Sequence, residues 1–277
     1  LILAWAVFQA GCFTGTGDSS RSDKSYRFPY QWLDEPGFGG DIDQQDFPEP
    51  SGIAYHPKRD TLFIVSDEGF VGEIKKDGTP ISLFEIPGDL EGVTVDPESD
   101  LVYVLVEAVD IILEIDPDSG EVLRQFEIDR SFAGNPNFIQ KQTDRFDNGC
   151  ESIAFVADKN NPEGGTFFVS NQWDPSCIFE LDVPLKSGEG KKLSAKISRV
   201  LPIELDDPAA MYFDDRTRLL NIVSDADNIL YEVALDGRIV NQYAFLGDNQ
   251  EGLTRDSEGY LYIAQDTGGI IKVKDLR

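Results

Sequence analysis

The chain has one histidine, one methionine and three cysteines among its 277 residues. Nucleophilic machinery of the Ser-His-Asp or Cys-His type needs a histidine held in a site. The single candidate, His56, precedes Pro57 where a second copy of the same phrase has Asp96-Pro97, so it reads as a turn residue and such a constellation is not expected. The same scarcity of His and Cys argues against zinc. Basic residues are few as well, 24 Lys and Arg against 51 Asp and Glu, a formal net charge of −27. That balance disfavours nucleic acid and anionic lipid surfaces as partners and makes cations the natural counterpart. No phosphate-cradling glycine loop and no dinucleotide fingerprint occurs. The apolar opening stretch, LILAWAVFQAG, falls short of the roughly 20 residues that a membrane-crossing helix requires.

That stretch reads as the apolar region of a secretory signal. Ala10-Gly11-Cys12 resembles a bacterial lipoprotein box, with Gln9 departing from the usual aliphatic residue, and makes Cys12 the expected lipidated residue. The segment from 13 to 25, rich in Gly, Ser and Thr, is expected to be a flexible tether. Residues 26–277 are expected to form one domain, monomeric, exported and held at a membrane through Cys12. Cys150 and Cys177 are either a disulfide of an oxidising compartment or two small buried thiols.

Within the domain one phrase recurs five times: PSGIAYHPKRDTLFIVSDE at Pro50, DLEGVTVDPESDLVYVLVE at Asp89, CESIAFV at Cys150, PAAMYFDDRTRLLNIVSD at Pro208 and NQEGLTRDSEGYLYIAQD at Asn249. Each copy is an apolar strand, a turn rich in Asp or Gly, and a second apolar strand. Such a unit cannot bury both of its faces alone and needs a neighbour on each side, which predicts an all-β propeller. Gly52, Gly92, Ser152, Ala210 and Gly252 align at intervals of 40, 60, 58 and 42 residues. The polar insertion between Asp129 and Asn148 and the loops DKNNPEGG and PLKSGEGKK account for the long intervals. KKDGTP, DPDSGEV and ALDGRIV are expected hairpin turns between third and fourth strands. The last unit ends after three strands, and Ser25–Leu33, aromatic and β-prone, is expected to supply the missing one. The count predicted is five blades. Six is the alternative, if residues 34–48 and the insertion build a degenerate blade.

Two aligned columns carry the expected chemistry, because the loops before the first strand and after the second open on one face of a propeller. The first column, just before the aligned small residue, reads Ser51, Glu91, Glu151, Ala209, Glu251, with Glu49, Asp89 and Asp207 two residues earlier. Three glutamates from separate blades would converge near the axis, and mutual repulsion calls for a cation. Calcium, which takes six to eight oxygens in loose geometry, fits better than zinc; a solvated acidic mouth without an ion is the alternative. The second column is Asp67, Glu107, Asn171, Asp225 and Asp266, readable as further ligands or as hairpin-turn residues. DIDQQD at Asp41 lacks the glycine and terminal glutamate of a calcium loop.

The phrases LEGVTVDPESDLVYVLVE and NQEGLTRDSEGYLYIAQD resemble the SdiA-regulated family of bacterial envelope proteins, over Phe47 to Arg277. The resemblance implies a propeller, membrane association and a channel that can hold calcium; it supplies no reaction. DDPAAMYF from Asp206 and EGLTRDSEGYLYIAQDTGGIIKV from Glu251 are similar to segments of β-propeller phytases, by which analogy Asp206, Asp207 and Glu251 would be calcium ligands. Those enzymes have six blades and a Lys/Arg cluster for phosphate that is not evident here. The expected role is binding of a ligand or envelope partner at the acidic face. The alternative is a metal-dependent phosphoester or ester hydrolase.

Overall fold

The computed structural model describes residues 26–32, 41–107, 109–141 and 149–277. The lipoprotein-like segment with Cys12, the tether and parts of both stretches of the alternative sixth blade lie outside the described residues. Two short strands come first, β1 (Tyr26–Arg27) and β2 (Tyr30–Trp32). Sets of four follow: β3 (Pro50–His56), β4 (Thr61–Ser66), β5 (Phe70–Lys75) and β6 (Pro80–Glu85); β7 (Leu90–Val95), β8 (Val102–Val106), β9 (Ile111–Ile115) and β10 (Val122–Asp129); β11 (Cys150–Ala157), β12 (Gly165–Asn171), β13 (Cys177–Asp182) and β14 (Lys192–Val200); β15 (Pro208–Asp214), β16 (Leu219–Ser224), β17 (Ile229–Ala234) and β18 (Ile239–Ala244). The chain ends with three, β19 (Gln250–Arg255), β20 (Tyr260–Gln265) and β21 (Ile270–Asp275). Within each set the strands pair antiparallel in chain order, and the fold is all-β and propeller-like. The three turn phrases join β5 to β6, β9 to β10 and β17 to β18, as their sequences predict.

The first strands form a ring. β3 lies beside β7, β7 beside β11, β11 beside β15, β15 beside β19, and β19 returns to β3. The aligned glycines exist for this closure. A Cβ on Gly52 would sit 2.3 Å from the Glu91 carbonyl oxygen, one on Gly92 2.8 Å from the Ile153 nitrogen, and one on Gly252 2.7 Å from the Ile53 nitrogen. Neighbouring strands are further bound where Tyr55 N–H donates to Thr254 Oγ1 at 3.0 Å and Phe155 N–H to Thr94 Oγ1 at 3.1 Å.

The core lies between units rather than within them. Tyr103 of β8 meets Phe167 of β12 at 4.9 Å between ring centroids, and Phe155 of β11 packs on both. Burying a large side chain of this kind contributes about 2–3 kcal/mol, so each unit's stability resides in its neighbours. Third strands repeat a device of their own: Glu73, Glu114, Glu180 and Glu232 occupy equivalent positions and pair with Arg59, Arg124, Arg199 and Arg277. Much of the scarce arginine is thereby committed away from the ring's acidic end.

Closure involves more than the last unit. β2 pairs antiparallel with β21, Trp32 opposite Val273, and so supplies the strand the unit lacks. β1 adds itself in parallel to β18 of the preceding unit. Between them Phe28, 1% exposed, sinks into the seam against Tyr243 and Phe245, with the Arg277 guanidinium 4.7 Å above its ring. One pairing was not anticipated: β10 and β14 run parallel, Gln125 opposite Lys192 through Asp129 opposite Lys196, which fuses eight strands into one sheet. The insertion contributes turns around Phe132 and Phe138 and no strand among the described residues.

His56 closes β3 fully buried rather than standing in an open turn, its Nε2 3.2 Å from the Asp100 carbonyl oxygen. Cys150 and Cys177 are free and buried, each paired across the ladder with Asn171 from opposite sides, so a whole strand separates them. No helix among the described residues is long and apolar enough to cross a membrane.

Candidate cation site at one mouth of the ring

In four of the five units the stretch before the first strand and the residue after the second strand are clasped by one repeated backbone bond. Glu107 N–H donates to the Asp89 carbonyl, Gln172 to Gly149, Asp225 to Asp207 and Asp266 to Asn249, at 3.0–3.1 Å. To turn into the strand the chain adopts a left-handed conformation at Glu49, Asp207 and Asn249, with φ of 41°, 48° and 50°. Asn and Asp tolerate that region better than most residues, so part of the polar pattern here is conformational. The clasp brings the two columns side by side.

The result is a cavity of about 370 Å³ at one end of the ring. Glu91, Glu151 and Glu251 converge on it, joined by Asp67, Asp89, Glu107 and Asp266, and among the described residues no basic side chain lines it. Carboxylate oxygens of Asp67, Asp89 and Glu91 lie within 4.8 Å of one another. At that separation and an effective dielectric near 20, two unit charges repel by roughly 3–4 kcal/mol. Ser51 and Gln172 complete the lining; the Ser51 hydroxyl donates to Asp67.

Burial and crowding hold protons on the ring. Burial, then the neighbouring charges of Glu151, Asp67 and Glu251, raises Glu91 well above the usual carboxyl range. Glu151 is raised likewise, by burial and then by Glu107, to which its carboxyl is hydrogen-bonded. Glu251 is pushed up to about 8 by burial and by Asp225, Asp207 and Asp266. Asp67 rises to about 6, chiefly through burial, against the opposing Ser51 bond. A site that must protonate its acids to tolerate them is one that a cation would relieve.

The remaining expected residues fall around this centre. Asp207 accepts from Gln172 Nε2 at 2.8 Å, and Asp225 accepts from the Gln250 N–H at 2.9 Å while its charge bears on Glu251. Ala209 and Ser51 occupy the fourth and first positions of the first column without a charge. Asp206 is exposed and outside the cavity lining. Asn171 is turned elsewhere: its Nδ2 donates to the carbonyls of Trp173 and Pro175. The position directly after the second strand, Asp67, Glu107, Asp225 and Asp266 in the other units, is held by Gln172, whose backbone bond to Gly149 repeats those of Glu107, Asp225 and Asp266. Sequence reading missed it because VSN at 169–171 imitates VSD at 65–67 one residue out of step. Asp41 and Asp43 serve their own loop, accepting from the backbone of Asp43, Ile270, Gln45 and Phe47.

A family model described as SdiA-regulated matches residues 41–267. No curated protein matches the sequence. Among solved structures, a protein of unknown function from Bacteroides caccae is 18% identical, with 77% of this chain and 69% of that one covered and a TM-score of 0.45. Hydrazine synthase of Kuenenia stuttgartiensis is 17% identical, with 79% of this chain and 56% of that one covered, also at a TM-score of 0.45.

Proposed function

The chain belongs to the SdiA-regulated family, and from that premise we propose that it is an exported, calcium-containing five-bladed β-propeller, attached to a membrane through lipid on Cys12, that binds a ligand or envelope partner at its acidic mouth. Cyclic contact among five first strands supports the blade count. The Ala10-Gly11-Cys12 sequence supports the anchor.

The observation that carries the calcium reading is Gln172 Oε1. It is buried in a residue that lines the cavity, and no donor among the described residues reaches it, although the amide's other end is satisfied by Asp207. An acceptor stripped of water without a donor costs about 1–3 kcal/mol, which a cation would offset. Together with Glu91, Glu151, Glu251, Asp67 and Glu107 it forms an all-oxygen set suited to a hard ion of loose geometry. The ion would offset part of the mouth's negative charge and leave positions for oxygen atoms of a bound ligand.

Calcium titration followed by thermal melting tests the reading. The transition temperature should rise with calcium, and Glu151→Gln should abolish the rise. No shift in the wild-type protein would overturn the metal site. Phosphomonoester turnover that requires calcium and vanishes in the same variant would favour the hydrolase alternative. Loss of labelled-palmitate incorporation in Cys12→Ser tests the anchor separately.

A further inference from the structure

The opposite end of the ring holds a second cavity, of about 290 Å³, bounded by the far ends of the first strands and the turns that follow them. Its wall is mixed. Val93, Val95, Phe155, Pro57, Pro97 and Ala157 are apolar, as are Met211 and Phe213, whereas Arg216, Arg255, Asp214, Asp215, Asp256 and Ser257 gather a polar side in the fourth and fifth units. Asp256 accepts from the backbone N–H groups of Glu258 and Tyr260.

The charges on the polar side are already matched. Arg216 Nε and Nη2 donate to Asp214 at 3.1 and 2.7 Å, Asp215 accepts from Arg218 at 3.1 Å, and Arg255 Nε donates to Asp275 at 3.0 Å. An added anion would meet the Asp214 and Asp215 carboxylates, and an added cation would meet Arg216. A neutral molecule meets neither penalty. The Arg216 side chain is 49% exposed, and its Nη1 has no acceptor among the described residues, which leaves N–H donors at the edge of an apolar hollow. A cavity this size sits at the lower limit of small-molecule sites, commonly roughly 300–1,000 Å³, and admits a single ring rather than a fused system.

The geometry points to a second ligand site here, one that takes a compact, uncharged molecule with an aromatic or branched apolar body and one carbonyl-type acceptor directed at Arg216. The body lies against Val95 and Phe155, and the acceptor receives an N–H from Arg216 Nη1. The site is independent of the acidic mouth and does not rest on calcium.

Ligand-observed saturation-transfer NMR on the whole protein, with benzamide and toluene as probes, tests it. Both should show transfer. Arg216→Met should weaken benzamide about three- to tenfold, the effect of one hydrogen bond, and leave toluene unchanged. Ser257→Trp, which fills the cavity from an exposed position, should remove both signals while its melting temperature and calcium response stay as in the wild type. The inference is overturned if neither probe shows transfer, if Ser257→Trp binds as the parent does, or if Arg216→Met affects both probes equally. A lost calcium response with intact probe binding would count against the acidic site alone.

Discussion

Replacing Glu251 by Gln should stabilise the calcium-free protein, and by an amount that depends on pH. The Glu251 carboxyl titrates at about 8 in the folded chain against an ordinary value of 4.5. Between those values the folded state holds more protons than the unfolded one, so stability falls as pH rises through the window and levels off above pH 8. At about 1.4 kcal/mol per pH unit, the proton retained at pH 7 costs the wild type about 3 kcal/mol, and at pH 5 under about 1 kcal/mol. Gln keeps the shape and cannot ionise. In EDTA at pH 7, Glu251→Gln should therefore melt roughly 6–10 °C above the wild type, with the gap closing to about 2 °C at pH 5. Calcium at a hundredfold excess over its dissociation constant should then raise the wild type by about 2.7 kcal/mol and the variant by much less. Differential scanning fluorimetry across four conditions, two pH values with and without calcium, measures all of this. A variant less stable than the wild type in EDTA by the same margin at both pH values would refute the electrostatic account of the mouth.

Other expectations concern the ring itself. Gly92→Ala places a methyl 2.8 Å from the Ile153 nitrogen and should cost about 1–3 kcal/mol, read as a lower urea midpoint; an unchanged midpoint would mean that the first strands are not in contact. Arg277→Ala strips a partner from Glu232 and Asp275, both buried, and should cost about 3–5 kcal/mol in the same assay. Cys150 and Cys177 should both alkylate in denaturant without reductant, as mass spectrometry would report; a bridged pair would contradict the ladder that sets Asn171 between them.

The unit phrase, the hairpin turns, the closing strand and the convergence of the three glutamates were all readable, because each follows from local alternation or from residues at fixed offsets from a turn. Gln172 was not, since β12 carries a VS pair one step out of register and only the bond to Gly149 fixes the true equivalence. The third-strand glutamates stand in EIKKDG, LEID, FELD and YEVALDG, contexts too dissimilar to mark them as a column in the sequence. Their arginines come from a turn, from outer strands and from the chain's end, and no local pattern links partners so placed. Nothing local announces the parallel contact of β10 with β14 either, for it joins outer strands separated by a whole unit and gains meaning only after the ring is built. His56 escaped for a related reason: a His-Pro pair matches Asp-Pro as a turn, yet the adjoining unit closes over it.

The strap of β1, Phe28 and β2 lies on the outermost strands of two units, at the circumference and far from either opening. Loosening Tyr26–Trp32 would therefore unpin β18 and β21 together and weaken the joint between the last two units, while neither the acidic nor the apolar hollow would lose a residue of its lining.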